Sequence, residues 1–158
     1  MRSTAIPTTG RTVRTKTAFR LSYGVATTIS ATPATIWALL TKAADFPRWN
    51  STIKEITGQI APGQTIQLRA TIAPERVFKL AISDLTPERG MTWRDGRAPF
   101  FTGVRTFNLT PHTNGTTDFT MVETFSGIML PMIAGSLPDF TSTFEQYAAD
   151  LKKAAEQH

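Results

Sequence analysis

Few residues of this chain can do chemistry, and most of them fall on one pair of strands. Residues 100–109 and 116–125 alternate in type on either side of Pro111-His112-Thr113-Asn114-Gly115, a stretch with the composition of a hairpin loop. Pairing them puts Phe101, Gly103, Arg105, Phe107 and Leu109 on one face with Phe119, Met121, Glu123 and Phe125. The other face carries Thr102, Thr106, Asn108, Asp118, Thr120 and Thr124, interrupted only by Phe100, Val104 and Val122. The aromatic face must turn inward, because a one-residue slip would put Phe, Met and Leu into water. Arg105 and Glu123 are then charged groups on an apolar inner face. Asp95 becomes a third if the segment holding Met91 and Trp93 keeps its alternation. Buried charges need partners. Two readings are open: an ion pair near the end of the sheet, or a polar point that orients a ligand's carbonyl, carboxylate or hydroxyl. As catalysts, Glu123 and Asp95 are the candidate acid–base groups, with Tyr23 and with Arg105 as an electrostatic clamp.

Other chemistries are excluded by what is missing. There is no cysteine, hence no disulfide, thiolate nucleophile or thiolate metal site, and the expected compartment is the cytoplasm by default. His112 lies in the hairpin loop and His158 is the last residue, and both are expected in solvent. A histidine triad and a histidine metal site are therefore not expected, nor is any cofactor. No phosphate loop or dinucleotide fingerprint is present. The net charge of +5 is lopsided: six basic residues precede the first acidic one, Asp45. Residues 1–18 read as a flexible basic tail and 19–158 as one domain. No aromatics are interleaved with the basic residues, so nucleic acid is not an expected partner. No apolar run is long enough to span a membrane.

The elements that must hold the hairpin follow from periodicity. Leu21, Tyr23, Val25 and Ile29 mark a first strand. Thr32-Pro33 is a helix start, followed by the stripe Ile36, Trp37, Leu39 and Leu40. A second short helix falls at 45–50. Strands follow at 52–60 and 65–72, then after a Pro74-Glu75 turn around Phe78, Leu80 and Ile82, then at 91–95. At the end, Leu137, Phe140, Phe144, Tyr147, Ala148 and Leu151 form one helical stripe. The expected fold is α+β: a curved antiparallel meander of about seven strands around a long C-terminal helix, with two short helices after the first strand.

Three stretches resemble a known family. They are I-S-A-T-P-A-T-I-W-A-L-L-T with D-F-P-R-W-N (29–50), G-V-R-T-F-N-L-T-P with N-G-T-T-D-F-T-M-V-E-T-F-S-G (103–127), and the final helix with Phe144 and Leu151-Lys152-Lys153. Together they resemble the polyketide cyclase/dehydrase and lipid-transport group (SRPBCC) of the START-like, birch-pollen-allergen-like helix-grip superfamily. The resemblance spans about residues 20–156. It implies a cavity between sheet and C-terminal helix for a small hydrophobic molecule, lipid-like or polyketide-like. It also implies that Trp93, Phe101, Arg105, Phe107, Met121, Glu123, Phe140 and Phe144 line that cavity. Phe119 shares their inner face, and Gly103 leaves room for a ligand or the helix. Some relatives are cyclases or dehydratases, but this chain lacks the inward histidines that some of those use. A binding protein is the first expectation, a cyclase/dehydratase the second, and a chaperone-cofactor-like interaction module the third.

Overall fold

The alternating segments become one antiparallel sheet. The computed structural model describes residues 5–157. Among these, eight strands follow in chain order: β1 (Val13–Thr17), β2 (Arg20–Ile29), β3 (Ile53–Thr57), β4 (Thr65–Ala70), β5 (Ala73–Thr86), β6 (Gly90–Arg97), β7 (Phe101–Pro111) and β8 (Thr117–Ser126). Their spatial order is β1-β2-β8-β7-β6-β5-β4-β3. The helices are α1 (Pro33–Thr41), α2 (Phe46–Trp49), α3 (Leu130–Ile133) and α4 (Thr141–Glu156). Helices α1 and α2 carry the chain from β2 to the opposite edge at β3, so β8 can return beside β2. Thr32 caps α1 as its sequence suggests: its hydroxyl accepts from Thr35 N–H at 3.2 Å, and Pro33 opens the helix.

The extra strand lies in the segment expected to be a flexible tail. Val13–Thr17 pairs residue by residue with β2, from Val13↔Gly24 to Thr17↔Arg20. Upstream, Gly10 N–H donates to Ala26 C=O at 2.8 Å. Thr12 ties the segment to α4 through Glu145 Oε2 (2.8 Å) and the Thr141 carbonyl (2.7 Å). All five β1 residues are exposed, so nothing apolar alternates in them. Main-chain pairing with an open sheet edge holds the strand, and hydropathy does not record that. Arg2 and His158 lie outside the described residues.

A second difference bears on the site. The β4–β5 turn sits at Thr71-Ile72, and Pro74-Glu75 belongs to β5. The register jumps from Leu68↔Phe78 to Ala70↔Ala73, which bulges β5 where Pro74 lies, and proline is tolerated there. Pairing of β5 with β6 begins only at Ala81↔Arg94. The first part of β5 therefore runs free of β6, and the sheet parts along that seam.

The core fills the other end of the sheet. Helix α4 buries Phe144, Tyr147, Ala148, Leu151 and Ala155. Tyr147 stacks on Phe119 (6.4 Å between centroids, 6° between planes) and packs near Phe107 and Trp49. Burial of each large side chain contributes about 1.5–3 kcal/mol.

One polar cluster sits beyond this core. His112 Nε2 faces Asp118 Oδ2 at 2.9 Å, a contact the loop position did not suggest, and Thr28 Oγ1 donates to Asp118 Oδ1 at 2.7 Å. Burial pushes the Asp118 carboxyl up, but the hydrogen bonds from Thr28 and His112 outweigh it and hold the group below its ordinary value. A depressed folded value means stability that is present above the unfolded pKa of about 3.9 and lost as pH falls through the folded value. Asp118→Asn is accordingly expected to lower the urea midpoint near neutrality, with the difference from wild type closing as the carboxyl is protonated in acid, below the unfolded value of about 3.9. A gap that stays constant down to strong acid would show that the carboxylate's charge contributes nothing.

Candidate functional site

One row across the sheet collects the inward polar groups. Register places Tyr23 opposite Glu123, Glu123 opposite Arg105, Arg105 opposite Trp93, and Trp93 opposite Ile82. Arg105 donates from Nε (3.1 Å) and Nη2 (2.6 Å) to the same Glu123 oxygen, Oε2. No hydrogen bond among the described residues engages Glu123 Oε1 or Arg105 Nη1. The two side chains keep only 15% and 14% of their exposure, so the pair is shielded from bulk water without being sealed. The guanidinium lies over the Phe144 ring at 5.1 Å and near Tyr147 at 5.9 Å, where the ring faces favour a cation. Tyr23 takes no part in this pair. Its hydroxyl accepts from Arg14 Nε at 3.2 Å on the β1 side, and its ring packs on Phe140 and Phe144.

The ion pair forms the polar point of a pocket of about 220 Å³. Trp93, Asp95 and Gly103 complete its floor. The separated limb of β4 and β5 supplies one apolar wall through Leu68, Phe78 and Leu80. The opposite wall is a stack of three rings: Phe101 on Phe125 (6.0 Å, 12°) and Phe125 on Phe140 (5.7 Å, 25°). Exposed Arg76 and Ser136, with Leu137 and Pro138, rim the mouth. Gly103 shapes the floor, because a Cβ there would touch the Phe125 ring at 3.4 Å.

The residues expected around a cavity divide into two groups. Trp93, Phe101, Gly103, Arg105, Glu123 and Phe140 line this pocket, and Asp95 joins them. Phe107, Phe119, Met121 and Phe144 do not line it. They are almost fully buried in the core, and three of them pack around Tyr147 or Arg105. The physical reason is the placement of α4. Its later turns lie over the sheet end bearing the Phe107↔Met121 and Leu109↔Phe119 pairs, with Lys152 Nζ reaching Thr28 C=O at 2.8 Å. Arg105 takes Glu123 as its partner, not Asp95. Leu68, Phe78, Leu80, Arg76 and Phe125 are lining residues not singled out from sequence. The alternation of Leu68 with Ala70 and of Phe78 with Leu80 marked their inward face, but not the seam that exposes it.

The chemistry available is narrow. Glu123 can accept a hydrogen bond or a proton at Oε1, and Arg105 can donate from Nη1. Trp93 Nε1 and Tyr147 OH are buried without a partner among the described residues. Burial drives the Tyr147 phenol strongly upward, the Arg105 charge offsetting only part of this, so it stays a neutral hydroxyl. No cluster of His, Asp and Glu able to hold a metal occurs among the described residues. No helix there is long and apolar enough to cross a membrane.

Known proteins share this architecture. The chain resembles a START superfamily protein from Mycobacterium smegmatis at 19% identity, with a TM-score of 0.64 over 86% of this chain and 97% of that one. It resembles a protein from Rhodobacter sphaeroides at 20% identity, with a TM-score of 0.64 over 90% and 95%. It also resembles a norcoclaurine synthase point mutant from Thalictrum flavum, bound to a transition-state analogue, at 12% identity and a TM-score of 0.66 over 93% and 97%. At these identities the likeness is one of fold. No curated protein matches by sequence. Residues 20–156, however, match a family profile described as polyketide cyclase/dehydrase and lipid transport. That match covers the whole sheet from β2 onward together with α4, and the chain is a member of this family.

Proposed function

We propose that the pocket binds a small, largely hydrophobic molecule whose single polar group is held at the Arg105–Glu123 pair. The observation that carries this reading is the shielded ion pair with Arg105 Nη1 and Glu123 Oε1 unengaged, set among apolar walls. At about 220 Å³ the pocket is below the common ligand range of about 300–1,000 Å³. It would hold the volume of about seven waters at about 30 Å³ each. The ligand is thus a compact ring system, or the end of a longer chain that leaves through the mouth at Ser136. The stacked Phe101, Phe125 and Phe140 rings favour a flat molecule. The family's description supports an apolar ligand of lipid or polyketide type.

A fluorescent apolar probe is expected to bind saturably and to be displaced by flat phenolic or polyketide-like compounds. Gly103→Phe, which places a ring in the pocket floor, is expected to weaken probe binding more than about tenfold while the fold persists, since a lost buried ring contact is worth about 1.5–3 kcal/mol. Unaltered binding in that variant would locate the ligand elsewhere. A second reading is cyclase- or dehydratase-type catalysis, favoured by the unengaged Glu123 Oε1 beside a cationic clamp. It requires that wild type convert a linear polyketide-type substrate and that Glu123→Gln bind it without turnover. Equal turnover in both would remove Glu123 from any mechanism.

A further inference from the structure

The largest exposed apolar side chains of the described residues are concentrated at one end of the sheet. Phe19 is 56% exposed, Phe100 49%, Ile128 60% and Met132 78%. They sit on the β1–β2 turn, the β6–β7 turn, the connection from β8 into α3, and α3 itself. Main-chain hydrogen bonds tie these loops together: Gly127 N–H to Phe19 C=O (3.1 Å), Ile128 N–H to Pro99 C=O (3.0 Å) and Met129 N–H to Phe100 C=O (3.0 Å). The segments carrying the four side chains are therefore neighbours at one end of the sheet. Helix α3 buries Leu130 completely yet leaves Met132 in solvent.

The loops themselves carry only positive charge, with Asp95 and Asp139 just beyond their ends. Segments 16–20, 96–101 and 126–138 contain Lys16, Arg20 and Arg97 and no Asp or Glu. All three cations are exposed. None of the four apolar side chains lines the pocket, but α3 runs directly into Ser136, Leu137 and Pro138 at its mouth.

We propose that this end of the molecule docks on an anionic lipid bilayer. Phe19, Phe100, Ile128 and Met132 enter the headgroup region, while Lys16, Arg20 and Arg97 meet lipid phosphates and carboxylates. The net positive charge of these loops selects an anionic surface. Apolar side chains on separate loop tips can insert one by one, without the matching relief that a protein interface needs. Docking would bring the pocket mouth beside the bilayer, so an apolar ligand could pass between them without crossing water. This passage rests on the pocket reading above, whereas the docking stands on the surface alone.

Co-sedimentation with vesicles of phosphatidylcholine, alone and mixed with phosphatidylserine, tests it. The protein is expected to partition onto the mixed vesicles, weakly onto phosphatidylcholine, and less as salt rises. Ile128→Glu with Met132→Glu is expected to weaken partitioning at least about tenfold. Arg20→Ala with Arg97→Ala is expected to weaken it roughly thirtyfold on mixed vesicles only. These side chains are exposed, so unchanged thermal midpoints and unchanged apolar-probe binding without vesicles should accompany both variants. Absence of partitioning onto mixed vesicles, or partitioning indifferent to both variants, would overturn the proposal. So would a dimer that the Ile128/Met132 variant disperses, with no vesicle binding, which would assign the face to a second copy of the chain. Vesicle binding by a protein that takes up no probe would support the docking and end the pocket reading.

Discussion

Glu123→Leu is expected to destabilise the protein by about 3–5 kcal/mol, towards the lower end because its pair retains some solvent contact. The loss comes from what the substitution strands. Arg105 gives both of its observed hydrogen bonds to Glu123 Oε2 and sits over the Phe144 ring, where water reaches it poorly. Without the carboxylate it is a shielded charge with no anion bonded to it. For a chain of this length each kcal/mol moves the midpoint by roughly 2–4 °C, so thermal unfolding should fall by about 10 °C. The double variant Arg105→Met/Glu123→Leu is expected to recover most of that, because two apolar groups of similar bulk leave nothing unsatisfied. Thermal and urea unfolding of the three variants read the outcome. If the single and double variants are equally stable, the pair is solvated like a surface salt bridge, and its place as the pocket's polar point is lost as well.

Phe144→Ala is expected to cost about 3–5 kcal/mol, and Phe140→Ala only about 1–2 kcal/mol. The two residues are one helical turn apart on the same stripe, so sequence treats them alike. Phe144 is fully buried, touches Tyr23 and Phe140, and underlies the Arg105 cation. Its removal leaves a cavity that the surrounding rings cannot close. Phe140 is half-buried at the pocket wall, stacked on Phe125. Its truncation enlarges an existing space, so the effect moves from stability to ligand affinity. Unfolding midpoints together with probe titrations separate the two. Equal stability losses would mean that the boundary between core and pocket does not fall between these residues.

That boundary marks where sequence reading stopped. The inward face of the β7–β8 hairpin was legible: alternation about a short loop puts Arg105 and Phe107 on one face with Glu123 and Met121, and the register then sets Arg105 opposite Glu123 and Phe107 opposite Met121. Local rules suffice there because the partners are close in sequence and a slip would expose several aromatics. The start of the last helix was less legible. The apolar stripe reaches back to Leu137, but α4 begins at Thr141, whose N–H and hydroxyl donate to Asp139 Oδ1 at 2.9 and 2.6 Å. Leu137 and Pro138 are thereby released to the pocket mouth.

Sequence alone determined the inward face of each strand from β2 onward, the buried stripe of α4 and the family. These are periodic properties, and period follows from backbone geometry. Only the tertiary structure decided which inward residues are core and which are pocket. Two non-local events set that division. Helix α4 covers one end of the sheet and not the other, and β5 leaves β6 before Ala81. The polar residues that alternation picked out at 105 and 123 fall just on the uncovered side. The N-terminal strand was likewise invisible until its main-chain partner was in place, because five exposed residues hold it by backbone hydrogen bonds that carry no side-chain pattern.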